Sequence, residues 1–353
     1  MNDRHINDKM VDYQDAEGGV ELAVFRLPSV WSTSRRFKQA KQWIDNIDPD
    51  WLSLQYVPFG FQQKGLPFGL SNYLKQVGSG RKWHIMFHEL WVGMDEKAPL
   101  KLVGLGRIQR LLIIGLVKAL RPLIVHTQTH TYQEYLQKDK IVAFFLPLIS
   151  NIPIHNPTSI ARNPVSIARV TKTFNFVVFG TVHPDALIEQ FTTEVFCIAQ
   201  QENWTVSLTV IGRQSPESDR WLTIWKEKGL VCTVLGEKSA EQVSQILSEA
   251  TLGLSSTAFA VIEKSGSVAA MLAHGLPVLC IASDWKPRGI SIVHPCSGVI
   301  EYKNIDLESA LRLAEQSTMP VVTVSDIASS LINALQSSTN DLFDIHDLAD
   351  GIS

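Results

Sequence analysis

The sequence LGLSSTAFAVIEKSGSVAAMLAHGLPVLCI, residues 252–281, indicates the fold most clearly. Its two ends, 252–255 and 277–281, are short apolar runs bounded by turn residues, which is typical of parallel strands covered on both faces. Between them, apolar residues have helical spacing up to Gly275, and a glycine with a proline soon after it marks the end of a helix. The stretch therefore predicts a strand, a loop, a helix that begins near Ser265, and a second strand.

The predicted start of this helix carries groups that suit an anion. A helix N-terminus exposes unpaired N–H groups and a partial positive charge. Gly266 lets a ligand approach the backbone, Ser265 and Ser267 supply hydroxyl groups, and Lys264 adds a full positive charge. Together they predict a binding site for a diphosphate. An ordinary helix with Ser265 or Ser267 as its N-cap accounts for the same residues without a ligand.

The chain has the size and composition of a two-domain globular protein. It has 353 residues, of which 45% are hydrophobic and 19% charged, so it can bury two cores. Two runs of alternating strand and helix patterns are separated by a segment rich in Pro and Asn. The predicted divisions are a mobile N-terminal arm at 1–19, a first α/β domain at 20–155, a linker at 156–171, a second α/β domain at 172–325, and a C-terminal helix and tail at 326–353.

Candidate site residues follow predicted strands directly. They are His88 and Glu89 after the strand at 82–87, Gly180 and Thr181 after the strand at 175–179, and Arg213 in the loop after the strand at 206–211. The carboxyl ends of parallel strands share one edge of a sheet, where open α/β folds bind ligands. Two structural alternatives stay open, a satisfied core histidine at position 88 and a tight turn after Gly180 that is capped near Asp185.

Charge and composition restrict the partners and the location. A net charge of −3 gives no overall basic field of the kind that nucleic-acid binding usually requires. The four cysteines form no C-x-x-C pair and are predicted to be reduced thiols. The polar N-terminus lacks the apolar core of a signal peptide, so a cytoplasmic location is expected.

The segment 107–121 is apolar with basic flanks. Arg110, Lys118 and Arg121 interrupt its apolar run, which argues against a membrane span. As a basic amphipathic helix it predicts weak contact with the anionic inner face of a membrane. A buried helix would show a similar pattern.

Two motifs resemble those of retaining GT-B glycosyltransferases of the family 4-like group. Ala273-His274-Gly275-Leu276-Pro277-Val278 matches the A-x-G-x-P-V that opens a strand after the donor-site helix of that family. Phe87-His88-Glu89 is similar in its first two positions to the family's Phe-His-Thr, whose histidine faces the donor sugar. The family also carries two glutamates eight positions apart. Here those positions hold Ile262 and Ala270, and Glu263 matches the first only with a shift of one residue.

The resemblance implies two Rossmann-like domains that face each other across a cleft, the GT-B fold. It also implies a glycosyltransferase that moves a sugar from a nucleotide-diphosphate sugar to an unknown glycan, lipid or small-molecule acceptor, with retention and without a metal or cofactor. Arg213, Lys264 and the amides of 265–267 would neutralise the leaving diphosphate, and Gly180 with Thr181 would close over it. His88 would position the sugar, and Glu89 would orient His88 or contact the acceptor.

The first domain departs from the family. Arg26-Leu27-Pro28-Ser29 stands where a glycine-rich turn is expected, so the domain is predicted to lack its opening βα unit, either because the enzyme is short or because the gene starts upstream. A catalytically idle GT-B subunit that binds a partner glycosyltransferase would fit this departure and the missing glutamate. An epimerase acting on a nucleotide sugar is a further alternative, which would need carboxylates to move protons.

Overall fold

The computed structural model describes residues 5–16, 19–155, 164–184, 186–291, 297–303, 305–317 and 323–350, the last twelve of these as backbone only. The chain divides into two compact units. The first comprises Met1–Thr127, Tyr132–Phe145 and Ile332–Ser353, and the second comprises Gln128–Thr131 and Leu146–Leu331. Each unit is built on a parallel sheet whose strands are linked by helices, so the predicted α/β class with Rossmann-like units is confirmed.

The elements of the first half of the chain follow in order. They are β1 (Met10–Ala16), β2 (Val20–Arg26), α1 (Thr33–Ile47), β3 (Trp51–Tyr56), α2 (Pro58–Phe61), α3 (Leu70–Val77), β4 (Lys82–Phe87), α4 (Leu100–Leu120), β5 (Ile124–Thr127), α5 (His130–Lys138) and β6 (Phe144–Phe145).

The N-terminal segment differs from the expectation. β1 and β2 form an antiparallel hairpin, in which Val11 lies opposite Phe25 and Tyr13 opposite Ala23. Residues 10–16 of the predicted mobile arm therefore form a strand, in which Val11 and Tyr13 alternate with Asp12 and Gln14. The mobility of the arm stays a prediction. β2 pairs only with β1 in the described part of the chain and does not extend the parallel sheet.

The first parallel sheet has the strand order β3-β4-β5-β6. Because the chain moves one strand along the sheet at each step, right-handed crossovers place α3, α4 and α5 on the same face. Tyr56 of β3 lines a small cavity with Leu70 of α3 and Leu116 of α4, which identifies the helix-covered face. Ser53 and His84 occupy the opposite face, since side chains alternate along a strand.

Helix α4 lies unusually close to the loop before it. A Cβ atom added at Gly106 would lie 1.9 Å from the carbonyl oxygen of Val92. The fully buried Gln109, on the same helix, accepts a hydrogen bond from the Val92 N–H at 2.9 Å and donates one to the Gly65 carbonyl at 3.1 Å. These contacts fix the loops around the carboxyl end of the sheet.

The elements of the second half continue the order. They are α6 (Pro164–Thr171), β7 (Thr173–Phe179), α7 (Ile188–Glu202), β8 (Thr205–Ile211), α8 (Pro216–Glu227), β9 (Val231–Gly236), α9 (Ala240–Glu249), β10 (Leu252–Ser255), a 3₁₀ helix (Phe259–Lys264), α10 (Gly266–Ala273), β11 (Val278–Cys280), β12 (Val299–Glu301), α11 (Leu307–Gln316) and α12 (Val324–Asp350).

The second sheet reverses its strand order. All its strand pairs are parallel, and the order is β12-β11-β10-β7-β8-β9. The chain starts at β7, moves outward to β9, then returns to the other side of β7 and moves outward again to β12. The carboxyl ends of β7 and β10 therefore flank a topological switch point, which is where doubly wound sheets bind ligands.

The predicted linker is partly a helix. Residues 156–163 lie outside the described part, but α6 places the fully buried Val165 and Ala168 in the core of the second unit. That unit already begins at Leu146, before the predicted linker. The prolines masked a helical apolar spacing, and Pro164 is itself tolerated at a helix start.

Two further expectations concern single features. Cys197, Cys232 and Cys280 are free thiols, whereas Cys296 and Asp185 lie outside the described residues. Among the described residues, the structure contains no helix with both the length and the apolar character needed to cross a membrane.

Candidate nucleotide-binding site

Helix α10 begins where the sequence predicts it. Ser265 is the N-cap, and its Oγ accepts a hydrogen bond from the Val268 N–H at 3.4 Å and lies 3.0 Å from the Ser267 Oγ. Within the described ranges, the N–H groups of Gly266 and Ser267 have no protein acceptor, as is usual for the first turn of a helix. A Cβ atom added at Gly266 would meet no atom within 4 Å. The helix start is thus both capped and open to a ligand.

Helix α10 packs closely on the strand before it. A Cβ atom added at Gly253 of β10 would lie 2.3 Å from the sulfur atom of Met271. Because the strand has no side chain there, the helix lies directly against it, and its first turn is held near the carboxyl ends of β10 and β7.

The loop after β7 lies against the start of α10, and the loop after β8 lies against the loop after β7. Gly180 follows β7 and Gly212 follows β8, with φ angles of 88° and 116° that favour glycine. Gly180 donates its N–H to the Ile211 carbonyl at 3.0 Å, and Gly212 donates to the carbonyl of Gly236, the last residue of β9, at 2.9 Å. A Cβ atom on Gly180 would lie 3.5 Å from the Cβ of Ser267, and one on Gly212 would lie 3.4 Å from the Cα of Gly180. The structure therefore brings Gly180 and Ser267 together, with the exposed Thr181 beside them.

Arg213 forms an ion pair with Glu237. Its side chain is 86% exposed and lies 3.2 Å from the carboxylate of Glu237, which is 71% exposed. Both residues border an open depression of about 580 Å³, which is also lined by Gly212, Gln214, Val234, Leu235 and Gly236. Lys264 ends the 3₁₀ helix next to Ser265 and is half-buried. That Arg213 and Lys264 serve one diphosphate stays a prediction.

Glu263 is held by a residue that the sequence did not connect with it. One carboxylate oxygen accepts the His130 N–H at 2.8 Å, and the other lies 2.7 Å from His130 Nδ1. The neighbouring Thr131 hydroxyl donates to the carbonyl oxygen of Ala260. The Glu263 side chain is only 5% exposed and caps the start of α5, where a negative charge is favourable. No local pattern reveals this pair, because its members lie 133 positions apart.

His88 and Glu89 lie at the carboxyl end of β4, in the first unit. The His88 N–H donates to the Tyr56 carbonyl at 3.1 Å, and its ring Nε2 lies 2.7 Å from Gln55 Oε1. His88 and Glu89 are both half-buried. The prediction that the histidine follows the strand is confirmed, whereas its role in catalysis stays a prediction.

A buried histidine pair lies behind His88. His84 and His126 are 2% and 3% exposed, and His84 Nε2 lies 3.0 Å from His126 Nδ1. Burial, aided by the nearby His126, lowers the pKa of His84 to about 4, and burial also lowers the pKa of His126. Both rings are therefore neutral near pH 7. Neither histidine was among the residues predicted from the sequence, although their positions in two apolar strands were a usable signal.

The metal expectation has one qualification. A D-x-D triplet, the usual metal-binding signature of glycosyltransferases whose fold is not GT-B, occurs at 48–50. It precedes β3, at the amino end of the sheet and away from His88, and Asp48 pairs there with Arg81 at 2.9 Å. Within the described residues, no group of three or more His, Cys, Asp or Glu is placed to hold a metal ion.

No protein-family model matches the sequence, and no curated protein is significantly similar to it. Several solved structures are similar in backbone course. Anabaena Alr3699/HepE in complex with UDP and glucose is 12% identical, with 88% of this chain and 81% of that chain covered and a TM-score of 0.49. The trehalose 6-phosphate synthase from Burkholderia multivorans is 11% identical, with 98% and 86% covered and a TM-score of 0.49.

A third similar structure is a putative UDP-N-acetylglucosamine 2-epimerase from Listeria monocytogenes. It is 12% identical, with 88% of this chain and 79% of that chain covered and a TM-score of 0.48. At these identities and scores the likeness concerns the general course of the backbone, and neither activity nor site residues follow from it.

Proposed function

We propose that this protein is a glycosyltransferase that uses a nucleotide-diphosphate sugar as its donor. The observation that supports the proposal best is the close approach of Gly180 to the first turn of α10 at the switch point of the second sheet, with Gly212 packed against Gly180. Strand order alone favours a ligand at this place. The unpaired amides of the first turn of α10 and the absence of a side chain at Gly180 support an anionic ligand.

The diphosphate would lie on the first turn of α10. The N–H groups of Gly266 and Ser267 and the hydroxyl of Ser267 can donate to its oxygens, and Gly180 leaves space for it because it has no side chain. Lys264, next to the N-cap, would add a positive charge. When the bond to the sugar breaks, these fixed donors stabilise the charge that develops on the leaving diphosphate.

The nucleoside would lie in the depression beyond Gly212. Its volume of about 580 Å³ is in the range of small-molecule sites. Arg213 and Glu237 stand at its rim, where either can bond a ribose or a base. Thr181, on the loop after β7, would close over the phosphates from the other side of Gly180.

The transfer is proposed to proceed with retention and without a metal. Glu263 is committed to His130 and takes no part in it. The amides of α10 and Lys264 carry the charge in place of a divalent ion. His88 is proposed as the group of the first unit that acts on the sugar, and Glu89 as a contact of the acceptor.

Calorimetric titration with UDP, GDP and ADP tests the binding step. At least one nucleoside diphosphate is expected to bind, and Lys264→Ala is expected to weaken binding by about 1.5–3 kcal/mol, the contribution of a hydrogen bond to a charged group. Lys228→Ala removes an exposed lysine at the end of α8 and is the control. The absence of binding, or equal losses in both variants, would contradict the proposal.

A pair of glycine variants tests the geometry of the phosphate site. Gly180→Ala and Gly229→Ala both place an alanine at positive φ, at a cost to stability of about 1–2 kcal/mol each. Only the first adds a methyl group beside Ser267, since a Cβ at Gly229 meets no atom within 4 Å. We expect an affinity loss of about tenfold in Gly180→Ala alone. If the wild-type protein binds a nucleoside diphosphate but releases no nucleotide from any nucleotide sugar, the result would favour the catalytically idle subunit over the transferase.

A second proposal concerns α4 and an anionic membrane surface. One face of the helix buries Ile113 and Leu116, but Leu100 and Leu111 are 87% and 68% exposed. The helix contains Lys101, Arg107 and Lys118 and no acidic residue, while Arg110 on the same helix is paired with Asp139. Such a surface can attach reversibly to anionic lipid. Co-sedimentation with vesicles is expected to require phosphatidylserine and to be lost in Leu111→Ser, whereas equal recovery with neutral vesicles would refute the proposal.

A further inference from the structure

A continuous chain of hydrogen bonds runs from His88 into the first sheet. His88 Nε2 lies 2.7 Å from Gln55 Oε1, and Gln55 Nε2 donates to the Ser53 Oγ at 2.8 Å. The Ser53 hydroxyl lies 2.8 Å from His84 Nδ1, and His84 Nε2 lies 3.0 Å from His126 Nδ1. The members come from β3, β4, the residue that follows β4, and β5.

The chemistry of the groups allows this chain a single aligned direction. A carboxamide oxygen can only accept, so His88 must donate the hydrogen on its Nε2 to Gln55. Ser53 accepts from the Gln55 amide, and in the aligned arrangement it donates its own hydrogen to His84 Nδ1. His84 then carries its hydrogen on Nε2 and donates it to His126 Nδ1. In this arrangement every donor points away from His88, and aligned bonds of this kind polarise and strengthen one another.

Burial keeps the far end of the chain uncharged. A protonated His126 would carry a hydrogen on both ring nitrogens, and its Nδ1–H would then oppose the Nε2–H of His84. Burial prevents this near pH 7, because both rings lose their water on folding and their neutral forms are favoured. Gln55 and Ser53 connect this fixed pair to the surface, on the edge strand of the sheet.

We propose that Gln55 and Ser53, continued by the buried pair of His84 and His126, are positioning residues that hold His88 with its hydrogen on Nε2 and its Nδ1 as an acceptor. This rests on the proposed function, in which His88 acts on the sugar. A ring fixed in this way accepts a hydrogen bond from a sugar hydroxyl through Nδ1. A free imidazole would divide its population between the two tautomers and among ring orientations.

Nitrogen NMR of the full-length protein labelled with ¹⁵N-histidine tests the proposal without any substrate. Spectra are recorded at pH 9, where imidazoles of ordinary pKa, about 6.5, are neutral, and the His88 signals are identified by their loss in His88→Gln. Wild-type His88 is expected to show a proton on Nε2 in about tenfold excess, the effect of one well-formed hydrogen bond. In Gln55→Leu the excess should fall to that of a free imidazole.

Three further variants make the result specific. Gln55→Glu loses the donor to Ser53 but gives His88 a charged and therefore stronger acceptor, so it is expected to keep the excess. Ser53→Ala cuts the chain behind an uncharged Gln55 and is expected to lower the excess. Gln42→Leu, on the exposed face of α1, is the control and should leave His88 unchanged. An unchanged His88 signal in Gln55→Leu would overturn the proposal, and an unchanged signal in Ser53→Ala would overturn the part assigned to the buried pair.

Kinetics distinguishes positioning from a purely structural role. In Gln55→Leu, turnover is expected to fall about tenfold, mainly because the ring loses its fixed orientation, since loss of the tautomer excess alone would lower it by less than about twofold. UDP affinity is expected to stay at the wild-type value. Gln55→Glu should recover part of the turnover. A loss of affinity equal to the loss of turnover would overturn the positioning role. If no nucleotide binds at all, the proposed function fails, and the NMR result stands as a separate test.

Discussion

Acid should destabilise the first unit through its buried histidine pair. His84 has a pKa of about 4 in the folded protein, against 6.5 for an ordinary histidine. The folded pKa is the lower one, so the unfolded chain binds the extra proton, and stability falls as the pH falls from about 6.5 to 4. Each unit of difference corresponds to 1.36 kcal/mol, which gives about 3 kcal/mol for His84 alone. The lowered pKa of His126 acts in the same direction.

The measurement must report on the first unit, because His274 in the second unit also has its pKa lowered by burial. Urea unfolding can be followed at several pH values by pulsed hydrogen exchange at one fixed labelling pH, with mass spectrometry of the peptide that contains β4. The free energy of unfolding should be constant above pH 7 and decrease below it. In His84→Gln the decrease should be smaller by about 1.4 kcal/mol per pH unit between pH 5 and 6, the contribution of one proton. Identical slopes in the wild type and the variant would refute the argument.

Two other predictions use matched variants. Gly106→Ala should destabilise the protein by about 1–3 kcal/mol or more, because its methyl group would clash with the backbone of Val92. Gly104→Ala on the same helix should stabilise it by about 0.5–1 kcal/mol, because a Cβ there meets no atom within 4 Å. Chemical unfolding measures both free energies, and similar values for the two variants would contradict the prediction. Glu263→Gln should cost about 1.5–3 kcal/mol of stability and leave UDP affinity unchanged, while the exposed Glu237→Gln should cost less than about 1 kcal/mol. If Glu263→Gln loses UDP binding but not stability, Glu263 would be assigned to the donor site and not to the cap of α5.

Local pattern was sufficient for the elements that carry the site. The second parallel sheet, the start of α10 at Ser265 and the position of His88 after β4 all follow from runs of apolar residues and the turn residues that end them. Such signals lie within a few residues of one another. The hairpin of β1 and the helix α6 were missed because charged residues and prolines concealed weak periodicities.

Contacts between distant residues could not be read from the sequence. The pairing of Glu263 with His130 joins positions 133 apart, and the chain from Gln55 to His126 depends on the register of three strands. A one-residue change of register would turn His84 to the other face of the sheet, so its burial is a property of the assembled sheet and not of the local pattern.

The pairing of His130 with Glu263 has a consequence for the order in which the protein is synthesised. The segment Gln128–Thr131 belongs to the second unit, yet the ribosome makes it before any other part of that unit. Its partner carboxylate is made 133 residues later, so the start of α5 stays uncapped by Glu263 during the synthesis of that stretch. A fragment of residues 146–331 would bury most of Glu263 without its donors. Addition of a peptide covering 126–140 is expected to restore folding of such a fragment by noncovalent complementation.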